Sequence, residues 1–395
     1  MIYLDSAATT KPKQEVIDAM MPYFTEKWQN PSSLYSNIKS EINEARQVIA
    51  NYINANEDEI YFTSGGSESN CWAIQGFVNY WKKKCMCPAI ITTSIEHKSI
   101  IECLSNNFTI NHHYLSVNEC GFVDEKELIQ WLEHYKKYEC KVLVSIQMAN
   151  NEIGTIQTIR RLANITHSYG AVFHTDAVQS FGKIKIDVNN YGIDLMSVSG
   201  HKFGCPKGIG FLYIRNDIQI EPLIYGTQER GMRGGTENVP YIMGMKKAVE
   251  ILNDLYIRDL TRNFVEKEII HFKAIAELNK QMFQKFGCVL NGAKSTFNRL
   301  HGIMSYRFPE EININIESLL LMLDMDDICV SAGSACNSHL NKPSHVLKAI
   351  GLSDDECSRT MRISFEYGTL TEEIVNKFIS SLEKAIKILK ADVDI

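Results

Sequence analysis

The chain has 395 residues, of which 45% are hydrophobic and 22% are charged, and its formal net charge is −6. This composition is ordinary for a soluble globular protein, and the negative charge argues against a surface for nucleic acid or anionic membrane. No apolar run reaches the roughly 18 residues that a membrane span requires. The N-terminus MIYLDSAATTKP lacks the basic region and apolar core of a signal peptide, so we expect a cytoplasmic protein.

The 11 cysteines include no CxxC pair and no His/Cys cluster with the spacing of a zinc site. Without an export signal we expect reduced thiols, most of them acting as small buried hydrophobic residues. A catalytic cysteine therefore has to be identified from its surroundings, and no metal site is predicted.

Strand-like runs alternate with helical patterns over roughly the first 240 residues. The runs lie at residues 60–63, 89–93, 141–148, 171–174, 195–198 and 210–214, and the helical patterns include residues 68–84, 124–137 and 158–169. Alternation of this kind predicts βαβ units and a mostly parallel sheet that is covered on both faces.

The pattern changes after about residue 240. A long helical region continues to about residue 286, strand-like runs follow at 302–308 and 361–365, and a last helix is predicted over 372–389. Thr371 and the acidic pair after it suit the N-terminus of that helix. We therefore predict a large α/β domain and a smaller C-terminal α+β domain, joined by the long helical region.

Small and polar residues follow the predicted strands, where open parallel sheets bind their ligands. The segments are Ser64-Gly65-Gly66-Ser67, Glu96-His97-Lys98, Asn150-Asn151-Glu152, Asp176-Ala177-Val178-Gln179 and Ser199-Gly200-His201-Lys202. The Gly-Gly turn alone is weak evidence for a phosphate site, because a plain tight turn has the same sequence. Convergence of five such segments predicts a ligand site.

One cofactor uses this set of side chains. Pyridoxal phosphate (PLP) needs a lysine for a Schiff base and a carboxylate that keeps its ring nitrogen protonated. It also needs a flat group over the ring and a phosphate cup at a helix N-terminus. Lys202, Asp176, His97 and the turn at Gly66-Ser67 can fill these four places.

Eight segments, in order along the chain, resemble the signature segments of cysteine desulfurases, which are fold-type I PLP enzymes of the class V aminotransferase group. They are YLDSAATT, TSGGSESN, EHKS, NNEIG, HTDAVQS, SGHKFGCPKGIG, ERGMRGGTENV and SAGSACNS. The last of them, followed by KPSHVLKAIG, resembles the group that serves iron–sulfur cluster assembly rather than the selenocysteine-lyase-like group.

The resemblance extends from Tyr3 to the C-terminal helix and implies the PLP-dependent transferase fold of type I. Residues 14–255 would form the large PLP-binding α/β domain, with a mostly parallel seven-stranded sheet. Residues 1–13 and 256–395 would form the small α+β domain, which carries the catalytic cysteine loop.

The same resemblance implies the cofactor contacts. Lys202 would bind PLP covalently and later move protons, and His97 would stack on the pyridine ring and act in acid–base catalysis. Asp176 would pair with the ring nitrogen, and Gln179 would bond the phenolic oxygen. The phosphate would be held by Gly66, Ser67, Ser199 and His201.

Substrate binding and assembly are implied in the same way. Asn151, which is also expected among the cofactor contacts, and Arg362 would bind the substrate carboxylate, for which an arginine fork is well shaped. Thr236 would reach the phosphate in the other subunit, which implies a homodimer.

Cys336 lies in SAGSACNS, a run of small polar residues that is typical of a loop. Its setting alone leaves a buried thiol and an exposed nucleophile equally open. The resemblance implies that its thiolate attacks the sulfur of bound L-cysteine, giving L-alanine and a persulfide on Cys336. That sulfur would pass to an acceptor protein: an iron–sulfur scaffold, a tRNA-thiolation enzyme and DNA-sulfur-modifying machinery remain open.

Three positions depart from the family pattern. Cys205 and Glu366 stand where glycine is commoner, and Tyr367 stands where arginine is commoner. Because Arg362 is retained, we expect activity with a changed rim of the site.

Two other functions have to be weighed. One is a different PLP enzyme on this fold, such as a selenocysteine lyase or an epimerase, and the presence of Cys336 in its own motif argues against it. The other is a catalytically silent protein that only binds sulfur-acceptor proteins. The presence of Lys202, His97 and Cys336 argues against that alternative.

Overall fold

The structure is a computed structural model that describes residues 1–35, 37–107, 110–258, 262–312, 314–332 and 343–391. The strands are β1 Ile2–Tyr3, β2 Ile60–Thr63, β3 Pro88–Thr93, β4 Asn111–Leu115, β5 Lys141–Ser145, β6 Val172–Asp176, β7 Leu195–Ser199, β8 Gly210–Ile214, β9 Val289–Leu290, β10 Ile303–Arg307, β11 Ile328–Cys329 and β12 Thr360–Ser364. The helices are α1 Gln14–Met20, α2 Pro22–Thr25, α3 Ile38–Ile53, α4 Gly66–Lys83, α5 Lys98–Ser105, α6 Glu125–Lys137, α7 Ile159–Ser168, α8 Val188–Tyr191, α9 Val239–Arg258, α10 Arg262–Phe286, α11 Ile316–Met325, α12 His345–Ala349, α13 Asp354–Ser358 and α14 Glu372–Ala391.

The central sheet has seven strands in the order β2-β8-β7-β6-β5-β3-β4. The pairs β7–β6, β6–β5, β5–β3 and β3–β4 are parallel. Strand β8 is antiparallel to both of its neighbours, β2 and β7. The structure therefore confirms the predicted fold class, an α/β protein with a mostly parallel seven-stranded sheet.

Both faces of this sheet are covered. On β3 and β5, neighbouring residues such as Ile90 and Ile91, or Leu143 and Val144, are fully buried and belong to different apolar clusters on opposite faces. Side chains alternate between the faces of a strand, so a strand covered on both sides reads as a continuous apolar run. This explains why the central strands were recognisable in the sequence.

Strand β4 was not predicted. Its sequence NHHYL has no apolar alternation, and it lies at one edge of the sheet, where only Leu115 is fully buried. The run predicted at residues 141–148 is also shorter than expected, because β5 ends at Ser145.

Helix α6 shows how the helical patterns were read correctly. Asp124 caps its N-terminus, with the side chain accepting hydrogen bonds from the backbone N–H groups of Lys126 and Glu127. Leu128, Leu132 and Tyr135 follow at helical spacing and are buried against the sheet. The predicted start at residue 124 is therefore the N-cap.

A second apolar core lies outside the central sheet. Strand β10 pairs antiparallel with β9 and β12, and helices α10, α11 and α14 contribute buried side chains to this core. The long helical region predicted to reach residue 286 consists of α9 and α10, and residues 259–261 lie outside the described residues.

The N-terminal segment packs with this second core. Strand β1 pairs in parallel with β11, and the backbone N–H of Ser364 donates to Leu4 O at 2.8 Å. Leu4 is buried among the side chains of the second core. The division into residues 14–255 on one side and residues 1–13 with 256–395 on the other stays a prediction.

Candidate active site

A cavity of about 250 Å³ opens at the carboxyl ends of β3, β5, β6 and β7, beside the N-terminus of α4. This is the size of a small-molecule site rather than of a single buried water. Ten of the residues predicted from the sequence line it: Gly66, Ser67, His97, Asn151, Asp176, Gln179, Ser199, His201, Lys202 and Arg362.

Lys202 ends a single 3₁₀ turn that follows β7, and its side chain enters the cavity. The amine donates hydrogen bonds to the carbonyl oxygens of Ala7 at 2.6 Å and Ala8 at 2.8 Å. Thr10 fastens this N-terminal segment to the turn, because its hydroxyl donates to His201 O at 3.0 Å and accepts from Gly204 N at 2.8 Å. The lysine amine is thus held by the N-terminal segment.

Asp176 ends β6 and is only 6% exposed. Its Oδ2 accepts a hydrogen bond from Asn70 Nδ2 at 2.7 Å, and its Oδ1 accepts one from Val178 N at 2.9 Å. These two hydrogen bonds replace those that water would make to an exposed carboxylate, and they fix the orientation of the carboxylate at the cavity wall.

His97 caps the N-terminus of α5, and its Nδ1 accepts a hydrogen bond from Ser99 N at 3.1 Å. An accepting Nδ1 carries no proton, so the neutral ring is protonated at Nε2. Burial lowers the pKa of His97, with the charge of Asp176 opposing the shift and that of Lys202 adding to it. The imidazole is therefore neutral at neutral pH and has one defined tautomer.

The N-terminus of α4 gives the cavity a place that suits an anion. Gly66 begins the 18-residue helix α4, and a Cβ at this position would lie 2.5 Å from Val178 Cγ2, so a larger residue would require Val178 to shift. Ser67 and the buried Ser199 line the same end. The backbone N–H groups and dipole of a helix N-terminus favour a phosphate. Burial lowers the pKa of His201 to about 4, so this residue can donate a hydrogen bond but contributes no charge.

Arg362 on β12 reaches the cavity from the second core. It is 2% exposed, and its Nη2 lies 2.8 Å from Asp5 Oδ1 while its Nη1 donates to Asn151 O at 3.1 Å. Its Nε is buried and has no hydrogen-bond partner among the described residues. The guanidinium is thus held in place with donor capacity left for a ligand.

Gln179 also lines the cavity and is 5% exposed. Its Nε2 donates to Ala7 O at 2.9 Å, and its Oε1 accepts from the Lys183 amine at 3.1 Å. The amide nitrogen faces a carbonyl and the amide oxygen faces a lysine amine, so these contacts fix the orientation of the Gln179 amide.

Sequence reasoning did not assign Asn70, Glu96 or His345 to the site, although all three line the cavity. Burial raises the pKa of Glu96 to about 8, so this carboxyl is largely protonated at neutral pH. His345 Nε2 lies 2.9 Å from Glu96 O, and it donates there because a carbonyl only accepts. Asn70 stands four residues after Gly66 on α4, a helical spacing that could have revealed it. His345 is far along the chain in the segment KPSHVLKAIG, and no helical or strand spacing relates it to the other site residues.

Two predicted residues are not among those that line the cavity. Thr236 is exposed, and it follows Arg233, which forms an ion pair with Glu68 in the first turn of α4 at 2.8 Å. Cys336 lies outside the described residues. Cys205, the cysteine nearest to Lys202 in sequence, is fully buried, and burial raises the pKa of its thiol well above the usual range.

In the ranges that the structure describes, no group of three or more His, Cys, Asp or Glu side chains is placed to hold a metal ion. No helix within those ranges has the length and apolar character needed to cross a membrane.

The chain is similar to known proteins over nearly its whole length. The family model for class-V aminotransferases matches residues 2–377. Cysteine desulfurase IscS of Clostridium botulinum is 40% identical over 394 residues, which cover 98% of this chain and 94% of that protein.

Two solved structures are also similar. One is described as a NifS-like protein, with a TM-score of 0.85 and 31% identity, covering 98% of this chain and all of the other. The second is SspA in complex with cysteine, with a TM-score of 0.75 and 33% identity, covering 93% of this chain and 99% of the other. The chain belongs to the class-V aminotransferase family and, within it, to the cysteine desulfurases.

Proposed function

We propose that the protein uses PLP to remove sulfur from L-cysteine, leaving L-alanine and a persulfide on Cys336. The persulfide sulfur then passes to an acceptor protein for iron–sulfur cluster assembly or thiolation. One observation carries the proposal: a lysine amine, a buried carboxylate and a buried guanidinium, from Lys202, Asp176 and Arg362, converge on a single cavity. A cytoplasmic location and a homodimer are further parts of the proposal.

The residues present fit PLP. Lys202 supplies the amine for covalent attachment, Asp176 a carboxylate for the ring nitrogen, and His97 a flat ring. Arg362 Nε, a buried polar atom of the cavity lining, has no hydrogen-bond partner among the described residues, as expected of a cavity that takes a polar ligand. When bound, PLP supplies an aldehyde for covalent attachment and a ring that withdraws electrons from the substrate.

The chain's own residues would orient the substrate and move its protons. Arg362, held by Asp5 and by Asn151 O, would bind the substrate carboxylate and place its Cα near the lysine. Lys202, released from the Ala7 and Ala8 carbonyls, would take the proton from Cα. The neutral His97, protonated at Nε2, can present that N–H to the ligand in the same cavity.

Cys336 would carry the sulfur. Its thiolate attacks the sulfur of the substrate, so that a new S–S bond forms while the bond between that sulfur and the substrate's Cβ breaks. The electron pair of the broken bond stays on the carbon side, where protonation gives alanine. The extra sulfur leaves on Cys336 and is released as sulfide when a thiol reductant is present.

The product test separates this reaction from other PLP reactions of cysteine. Purified protein incubated with L-cysteine, PLP and dithiothreitol should release alanine and sulfide in equal amounts. L-Serine, which lacks the sulfur, should give no alanine. Release of pyruvate and ammonia together with the sulfide would mean elimination instead of desulfuration and would refute the proposal.

We also propose that Thr236 completes the phosphate site of the partner subunit. Its side chain is exposed, and it is not among the residues that line the cavity of its own chain, as a contact shared across a homodimer requires. Thr236→Ala should weaken PLP binding roughly 10-fold, because a hydrogen bond to a charged group is lost.

Mixed dimers test the sharing directly. A heterodimer of a Lys202→Ala chain and a Thr236→Ala chain would hold one intact site and one doubly damaged site. At a PLP concentration that leaves the Thr236→Ala homodimer largely unloaded, the heterodimer should show about half of the wild-type activity. A shared site would be ruled out if purified heterodimers were no more active than one Lys202→Ala subunit plus one Thr236→Ala subunit, as measured in the respective homodimers.

A further inference from the structure

Asn70 uses both hydrogens of its side-chain amide inside the cavity wall. It lies one turn into α4 and is 1% exposed. Its Nδ2 donates to Asp176 Oδ2 at 2.7 Å and to Ser99 Oγ at 3.0 Å. The amide thus joins the end of β6 to the start of α5.

Ser99 continues this connection to His97. Ser99 Oγ lies 2.8 Å from His97 Nδ1, which also accepts the backbone N–H of Ser99. Because Ser99 Oγ accepts from Asn70, its own hydrogen is free to point at Nδ1. A continuous hydrogen-bonded chain therefore runs from Asp176 through Asn70 and Ser99 to His97.

The charge on Asp176 sets the direction of every bond in this chain. A carboxylate accepts only, so the NH₂ group of Asn70 must face it. With the amide fixed, the Ser99 hydroxyl is directed at His97 Nδ1, beside the backbone N–H of Ser99 that already places the imidazole proton on Nε2. The orientation of the His97 ring is thus linked to Asp176, although the two side chains belong to different elements.

The amide keeps this orientation although its oxygen has no partner. Asn70 Oδ1 is buried and without a hydrogen bond among the described residues. Turning the amide over would place that oxygen against the Asp176 carboxylate, which is a worse arrangement. The orientation of the Asn70 amide is therefore set by the two acceptors of its Nδ2, Asp176 Oδ2 and Ser99 Oγ.

We propose that Asn70 is a positioning residue that, through Ser99, couples the carboxylate of Asp176 to the orientation of the His97 ring. The inference rests on the proposed function, in which Asp176 faces the ring nitrogen of PLP and His97 faces the ring. Asn70 then keeps these two groups in a fixed relation before the cofactor arrives.

Asn70→Leu tests this role. Leucine has a similar volume and also removes the unpaired buried oxygen, so the fold should be retained and the thermal midpoint of the apoprotein should stay close to wild type. PLP affinity, measured by absorbance titration of the apoprotein, should fall about 10- to 100-fold, since Asp176 loses one of its two donors. Asn79→Ala, an exposed asparagine on the same helix, is the matched control and should leave the affinity unchanged.

Ser99→Ala provides the second variant and keeps the backbone hydrogen bond to His97 Nδ1. It should weaken PLP binding less than Asn70→Leu does and shift the absorption band of the bound cofactor. In the double variant PLP affinity should fall by less than the product of the two single fold-changes, because each substitution breaks the same hydrogen-bonded chain.

Unchanged PLP affinity in Asn70→Leu would overturn the inference. A double variant whose loss of PLP affinity equals the product of the two single fold-changes would overturn it too. If Asn70→Leu does not fold, Ser99→Ala decides alone: wild-type affinity together with a wild-type absorption band would exclude the coupling. Failure of the wild-type protein to bind PLP would instead refute the proposed function itself.

Discussion

Cys336→Ser will lose sulfide and alanine release by roughly 10³-fold or more, while the protein still binds PLP. A serine hydroxyl is a poor nucleophile towards sulfur and cannot store it as a persulfide. Cofactor absorption should still change when L-cysteine is added, because the residues that bind cofactor and substrate are untouched. The measurements are product release and a spectral titration with L-cysteine on the same preparation.

Cys205→Ser is the matched control for that result. Cys205 is fully buried beside Gly200, and burial keeps its thiol protonated, so it meets neither requirement of a sulfur carrier. Turnover should persist in this variant. Mass spectrometry after brief exposure of the wild-type protein to L-cysteine should find the added sulfur on the Cys336 peptide, and its presence on Cys205 instead would reverse the assignment.

Lys202→Ala will abolish turnover, again by roughly 10³-fold or more, and will leave PLP bound only by noncovalent contacts. The lysine is expected both to attach the cofactor and to move the proton at the substrate's Cα. The wild-type protein should be yellow, and borohydride reduction followed by peptide mapping should place the cofactor on Lys202.

Lys207→Ala serves as the control, since Lys207 is exposed and lies five residues further along the chain. It should keep both the yellow colour and the borohydride label. A label recovered from any lysine other than Lys202 would contradict the assignment.

The sequence predicted the central sheet well because most of its strands are covered on both faces. Continuous apolar runs such as VLV in β5 carry a signal that depends only on burial. The edge strand β4 carries no such signal, since it is partly exposed and rich in polar residues. The antiparallel direction of β8 was not predicted either, because strand direction follows from connections that a local pattern does not contain.

The residues of the site also differ in how far a local sequence pattern predicted them. His97, Asp176 and Lys202 follow strands of one sheet, so the rule that ligands bind at strand ends was enough to bring them together. Arg362 comes from the second core, and its place in the cavity was expected only from the family resemblance. His345 reaches the cavity from a short helix far along the chain, and no helical or strand spacing in the sequence indicates such a contact.

The contact of the N-terminal segment with β12 has a consequence for protein synthesis. Ala7, whose carbonyl holds the Lys202 amine, donates its own N–H to Ser364 Oγ at 2.9 Å. The two sides of this contact are 357 residues apart along the chain, so a ribosome makes one side long before the other. The sheet can fold while the chain is still growing. The support of the catalytic lysine, however, is completed only after Ser364 has left the exit tunnel, so a prematurely terminated chain would have a folded sheet without a finished site.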